Sequence, residues 1–457
     1  MTGITTQPAA LGRFCFVYNG YRIKSNRQFT MIFLSPVPAK RAVGKFRWVI
    51  CALLFAACTI NYMDRQVLGL LKPDLSRTFN WTETDYGRMA IAFQAAYAVG
   101  QTLFGPLINW IGTKSAYAFS VLFWSLAAMS HSLCRSVTGF CSARFALGLG
   151  ESGNFPTAIR TVTEWFPPKE RSVATGIFNT GSNMGAIFAP VLVPFIVGYF
   201  GGWKAAFIAL GAVDLVWLAF WLGFYNSPEK SKRVSPEELA HIKSGLAATA
   251  EQKIPWVKLL RFREAWAYYG TCVLVGPVWW FYGFWLPDFF SKQFHLSLKQ
   301  FGLPLVVVYT VTALGSIGGG GLSAWFLKRG WSVNKARKTA SLVCAVCTLP
   351  VIFAPRVGSV WLATAFFALA AASHQGWSAT MYTVVSDIFS KRAVASVVGF
   401  GGTLASLMSM GFFWLVSHIL QGEGTYRTIM LLCGSAYVVA WLIFHVGVPK
   451  IKPVEIK

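Results

Sequence analysis

Apolar residues fall in runs of about 20, the length a helix needs to cross the hydrocarbon of a membrane. The runs occupy residues 46–71, 85–108, 115–133, 137–165, 172–200, 204–225, 265–290, 301–327, 338–354, 359–388, 394–420 and 426–448. They predict an all-α polytopic membrane protein with twelve transmembrane helices. A longer charged stretch follows the sixth run, so two six-helix bundles (46–225 and 264–448) are expected around a linker at 226–263, with tails at 1–45 and 449–457. In the linker, Ser235-Pro-Glu-Glu238 reads as a capping box that starts a short surface helix. The halves look duplicated. Phe145-Ala-Leu147 opens the fourth run and Phe367-Ala-Leu369 the tenth, and each run reaches an acid (Glu164, Asp387) and then a basic turn (Lys169/Arg171, Lys391/Arg392).

Composition supports the membrane reading: of 457 residues, 55% are hydrophobic and only 13% charged, which lies outside the soluble range. A net charge of +24 would suit nucleic acid, but the basic residues gather in alternate loops rather than on one base-reading surface. By the positive-inside rule, both termini and the 226–263 linker are expected in the cytoplasm. No apolar core with a small-residue cleavage site precedes the first run, so no cleavable signal is expected. Residues 1–30 read either as a flexible tail or as the product of an upstream start codon, with Met31 as the alternative start. Nine cysteines lie mostly within spans; Cys344-Ala-Val-Cys347 has metal-pair spacing but no second pair or nearby histidine. No metal or cofactor is therefore expected. Gly148-Leu-Gly150-Glu-Ser-Gly153 matches the dinucleotide fingerprint, yet that pattern needs a strand before it and a helix after it, and here it lies within a span.

Charges inside the runs point to chemistry. Arg144 and Glu151 stand seven residues apart, close to two helical turns, and so face the same way; Asp64-Arg65 interrupt the first run. Each such charge costs roughly 2.5–3.5 kcal/mol to insert, so it persists where a polar cavity receives it, typically in a transport or proton-relay site.

Asn61-Tyr-Met-Asp-Arg65, Arg144 to Pro156, Glu164-Trp-Phe-Pro167 and Gly176 to Pro190 resemble the anion:cation symporter family of the major facilitator superfamily. Pro277-Val-Trp-Trp-Phe-Tyr-Gly-Phe-Trp-Leu-Pro287, Arg329 to Lys338 and His374-Gln-Gly-Trp-Ser378 look most like its hexuronate transporters, and the resemblance spans roughly residues 45 to 450. It implies a monomeric secondary transporter of the bacterial inner membrane that imports glucuronate or galacturonate with protons, its partners being that sugar acid, protons and membrane lipid. One departure stands out. The loop after the second run reads Gly105-Pro-Leu-Ile-Asn109-Trp110-Ile-Gly112-Thr-Lys114, with Asn and Trp where the superfamily usually places a gating acid and a base. The inner gate is then expected to use the 329–338 segment with Glu164 and Asp387.

A sugar acid needs a guanidinium, whose planar fork grips a carboxylate with two parallel bonds; Arg65 and Arg144 are the candidates. The competing reading is that they neutralise acids, Arg144 pairing with Glu151. Asp64 and Glu151 are the candidate proton carriers, because burial favours their neutral form and a neighbouring arginine the charged form. Tyr97, Asn179, Asn183, His374 and Gln375 are candidate polar ligands, against the alternative of helix-packing amides and a core histidine. Trp279, Trp280, Tyr282 and Trp285 could stack on the sugar or form an interfacial belt. Arg160 and Glu164 are read as gate charges. Rival readings are a proton symporter of an aldonate, tartrate or aromatic acid, and a non-transporting membrane sensor; no intramembrane enzyme motif is present.

Overall fold

The computed structural model describes residues 44–244 and 256–454; the start of the basic tail with Met31, part of the linker and the last three residues lie outside the described residues. Among the described residues helices dominate and there is no strand. The helices are Phe46–Phe79, Glu83–Ser130, Val137–Glu151, Asn154–Trp165, Arg171–Phe200 and Trp203–Phe224, then Arg263–Phe294, Gly302–Lys328, Val333–Thr348, Val360–Ile388, Lys391–Glu423 and Arg427–Gly447, with short pieces at the turns and in the linker. Glu83–Ser130 is two spans meeting at Gly112, whose φ of 80° only glycine adopts cheaply. Val137–Glu151 and Asn154–Trp165 are one span broken in the middle. Among the described residues, this arrangement is consistent with twelve spans, six on either side of the linker. Eight helical segments among the described residues are long and apolar enough to cross a membrane, one of them being the second and third spans end to end. The other three are the fourth, seventh and tenth spans, which carry a break or polar residues and, as shown below, build the site.

The packing repeats between halves. The first span packs on the fifth and sixth as the seventh packs on the eleventh and twelfth. Between halves, the second meets the eleventh and the fifth meets the eighth, a pairing that exchanging the halves leaves unchanged, while the first and seventh meet each other.

Two sequence devices shape the fourth span. Pro156 has no N–H to offer the carbonyl of Ser152, and its ring crowds that carbonyl, so the helix ends at Glu151 and restarts at Asn154. Glycines then bring the span close to its neighbours. A Cβ on Gly148 would stand 2.4 Å from the Phe93 carbonyl oxygen, and one on Gly150 would stand 2.8 Å from the Trp124 backbone nitrogen. The glycine pattern in 148–153 thus serves helix packing.

The linker helix, Pro236–Lys243, is capped by Ser235, whose Oγ accepts from Glu238 N at 3.1 Å. The expected capping box is only half made. The Glu238 carboxylate instead accepts from Arg47 N at 3.0 Å and Arg47 Nη1 at 3.3 Å, pinning the linker to the start of the first span. Arg47 also bonds Glu170 at 2.8 Å and holds that carboxyl below the usual carboxylate range.

Gly148→Ala should therefore destabilise the protein by about 1–3 kcal/mol, because the obstruction is backbone and cannot swing away. Thermal unfolding in detergent, followed by tryptophan fluorescence, should show a lowered midpoint; an unchanged midpoint would mean the helices are not this close.

Candidate functional site

The first span winds Asp64 and Arg65 about 100° apart, and they serve different neighbours. Arg65 points to the fourth span, where its Nε donates to Glu151 Oε2 at 2.8 Å across a break in the helix that supplies the acid. Its Nη2 donates to Asn61 Oδ1, one turn back, at 3.2 Å, and Nη1 has no partner. Four rings surround the guanidinium: Tyr62 at 4.5 Å, Tyr97 at 4.8 Å, Trp280 at 5.2 Å and Phe93 at 5.4 Å. Such faces attract a cation where water cannot. Glu151 is fully enclosed, and its Oε1 has no partner.

Arg144 does not pair with Glu151, contrary to one expectation from their spacing; Glu151 reaches across to Arg65 instead. The Arg144 guanidinium is wholly buried over Phe93 (4.5 Å) and Phe284 (5.2 Å), and its Nε and Nη2 have no acceptor. A buried cation without a hydrogen-bonded anion is costly, so this arginine is poised for one. Asp64 is likewise not Arg65's partner. It turns toward the sixth span and Asp214.

Arg65 and Asn183 line a small cavity with Tyr62, Ser182, Trp280 and Tyr282. Trp279 and Trp280 form the wall between it and a larger space of about 190 Å³ among the seventh, tenth and eleventh spans. There His374 stacks on Trp279 at 4.6 Å and its Nδ1 meets the Tyr437 hydroxyl at 2.6 Å. Tyr282 packs edge-on against Phe367, with its hydroxyl buried and unpartnered. Trp285 is fully buried against Tyr86 and Phe413, so the belt reading fails for it and for Tyr282.

The remaining candidates lie apart. Asn179 is exposed, and of the candidate ligands Asn179, Gln375, Tyr97 and Arg144 line neither of these two cavities. Glu164 accepts from Arg160 (2.9 Å), Thr113 (2.8 Å) and the Tyr225 hydroxyl (2.6 Å), at the Gly112 turn. Asp387 pairs with Arg337 at 3.0 Å, and Arg337 also bonds Ser323. Each acid thus ties helices within its own half, in equivalent places.

Contacts across the halves lie at the other end. Lys72, about 1% exposed, bonds both Glu83 and Asp288 at 2.8 Å. Lys292 pairs with the same two acids, and the Tyr426 hydroxyl donates to Asp288. Tyr86 donates to the Phe284 carbonyl at 2.7 Å, and Glu83 N donates to Gln421 at 3.1 Å. These hydrogen bonds and ion pairs join the two halves. The cavities are sealed at this end. The larger one is lined by Tyr268, Tyr382 and Gly401, from the parts of their spans nearest the basic end.

Two six-helix halves that close over a central charged cavity at one end are the build of a membrane transporter. Residues 54–413 match the Major Facilitator Superfamily, and the chain belongs to it. It is a transporter and not an enzyme. Over 390 residues it is 30% identical to the hexuronate transporter of Escherichia coli (strain K12), covering 84% of this chain and 90% of that one. A probable galactarate/D-glucarate transporter of Bacillus subtilis (strain 168) is 27% identical over 446 residues, covering 93% and 96%. A bacterial homolog of the human lysosomal transporter Spinster, solved in an inward-facing and occupied conformation, has the same fold, with a TM-score of 0.69 over 89% of this chain and 96% of that one at 17% identity.

Sequence reasoning missed the seal and Asp214. The first apolar run ends at Leu71, one residue short of Lys72. Asp214 is an acid midway along the sixth run, and the cost argument used for Asp64 applies to it equally.

Asp288→Asn leaves Lys72 and Lys292 sharing one acid and should weaken the seal by about 3 kcal/mol, the scale for breaking one buried pair. Spin labels at Thr78 and Glu423 should then report a new population with longer separation. A distance distribution like that of the unsubstituted protein would show that these charges do not hold the halves together.

Proposed function

We propose that this transporter imports a hexuronate, glucuronate or galacturonate, together with protons across a bacterial inner membrane, with both termini in the cytoplasm. On that topology the structure is the inward-facing state, sealed outside by the Lys72 network. The observation that carries the reading is the Arg65–Glu151 ion pair beside the cavity, with Nη1 of the arginine unused. A substrate carboxylate can take Arg65 in the planar two-bond geometry only if Glu151 yields. Glu151 yields when a proton neutralises it, since a buried carboxylate without its cation is strongly disfavoured. Anion and proton therefore enter together, and neither is stable in the site alone. Asn183, Trp280 and the His374–Trp279 stack offer polar partners and a flat face to a sugar ring, while Tyr97 backs the Arg65 guanidinium and Arg144 lies buried behind Phe93. Gating follows from the seal, with Arg160, Glu164 and Asp387 holding the cytoplasmic ends of each half.

A second reading has one observation in its favour. Arg144 is an additional guanidinium with two unpartnered nitrogens and no hydrogen-bonded anion, which suits a sugar acid with two carboxylates, as the name of the Bacillus subtilis relative indicates for that protein. Competition of hexuronates and aldarates for uptake into liposomes decides between them, and the absence of any uptake would favour a sensor.

Arg65→Lys keeps the charge but loses the fork, and should weaken hexuronate binding by roughly 2 kcal/mol, about 30-fold in Kd. Glu151→Gln should bind and exchange substrate yet lose accumulation driven by a pH gradient; uphill uptake by this variant at the unsubstituted rate would remove Glu151 from the coupling. Topology is tested separately. In a background without native cysteines, an impermeant thiol reagent applied to intact cells should label a cysteine at Thr425 and spare one at Ser231, and the reverse pattern would invert the orientation.

A further inference from the structure

Asp214 lies midway along the sixth span and is fully buried, and neither of its carboxyl oxygens has an N–H or O–H partner. Gly211, one turn earlier, lets the span approach the third, since a Cβ there would stand 2.9 Å from the Ser125 carbonyl oxygen. Donors on the third span do not answer Asp214. Ser125 Oγ donates to Val121 O at 2.7 Å, and Trp124 Nε1 lies beside the acid without reaching full hydrogen-bond geometry. What faces Asp214 is another carboxyl group, that of Asp64 on the first span, which packs against the sixth, and Asp64 Oδ2 is itself buried without a donor. Two adjacent carboxylates away from water cannot both stay ionised. A proton between them turns one oxygen into the donor that both acids lack.

Charge balance gives the number. The charged groups that bear on the pair are Arg144 and Glu151 on the fourth span, with Arg65 of the first span bonded to Glu151, while Trp124 and Ser125 on the third are neutral. Two arginines against one glutamate leave one positive charge. A pair sharing one proton carries one negative charge and brings the buried cluster to neutrality. Both acids ionised would leave a net negative cluster, and both protonated a net positive one.

We propose that Asp64 and Asp214 form a second proton site in which the two carboxyl groups hold one shared proton, with Arg144 as the counter-ion of the charge that remains. This deepens the symport reading and rests on it only for the site's role in coupling. With the pair already neutralising Arg144, a single substrate carboxylate requires one further proton, the one taken by Glu151.

The test uses purified full-length protein without substrate, whose infrared spectrum at neutral pH should contain the carbonyl stretch of a protonated, buried carboxylic acid. Asp214→Asn should abolish that band, because Asp64 then faces Arg144 without a competing acid and ionises. A band that persists in Asp214→Asn overturns the shared proton. Should Asp214→Asn not fold, Asp64→Asn/Asp214→Asn is measured instead, in which two amides pair without charge; the band must be missing there, and its presence would assign it elsewhere. The symport reading fails by a different sign: uptake by the unsubstituted protein that ignores an imposed pH gradient, whatever the spectrum shows.

Discussion

A guanidinium taken out of water must be answered by negative charge, and in this protein the answer to Arg65 is a single carboxylate, Glu151, at 2.8 Å. The ion pair is enclosed by aromatic rings, so its strength does not leak into solvent, and neither partner can leave without a substitute. A substrate anion can substitute for the glutamate, and a proton can substitute for the arginine. Much of the architecture can be understood as the means of holding these two groups within reach of each other and of a cavity.

The fold does this with a few local devices. Pro156 stops the fourth helix at Glu151, so the acid sits at a break rather than on a continuous helix face. Gly148 and Gly150 let that helix lie against the second and third spans, which sets the distance to Arg65. At one end, two lysines and two acids bind the halves together, a neutral network that is tight when complete and weak when any member is lost. At the other end the polar links stay within each half, Glu164 at the Gly112 turn and Asp387 at Arg337. The halves are therefore joined across one end by charges that water could separate, as a machine with alternating access requires.

Much of this was legible in the chain. Run length gave the twelve spans, and charges in apolar surroundings picked out Asp64, Arg65, Arg144 and Glu151. Partner identity was not legible, because it is decided across helices. Spacing within the fourth run suggested Arg144 with Glu151, whereas the acid reaches the first span. Adjacency suggested Asp64 with Arg65, whereas neighbouring residues on a helix point apart. Asn179 and Gln375 were drawn in by polarity alone, and rotation of their helices leaves both outside the cavity walls. The seal went unread because its members sit at span ends, where single charges are ordinary and only their convergence gives them meaning.

The central claim is that anion and proton load together, and proton counting tests it without any substitution. Purified protein in weakly buffered solution with a pH indicator is given a hexuronate that it binds, and the protons taken up are divided by the substrate bound. Linkage between the Arg65–Glu151 pair and the incoming carboxylate predicts an uptake of about one proton per molecule near neutral pH. Binding with no proton uptake, or with proton release, would contradict the account.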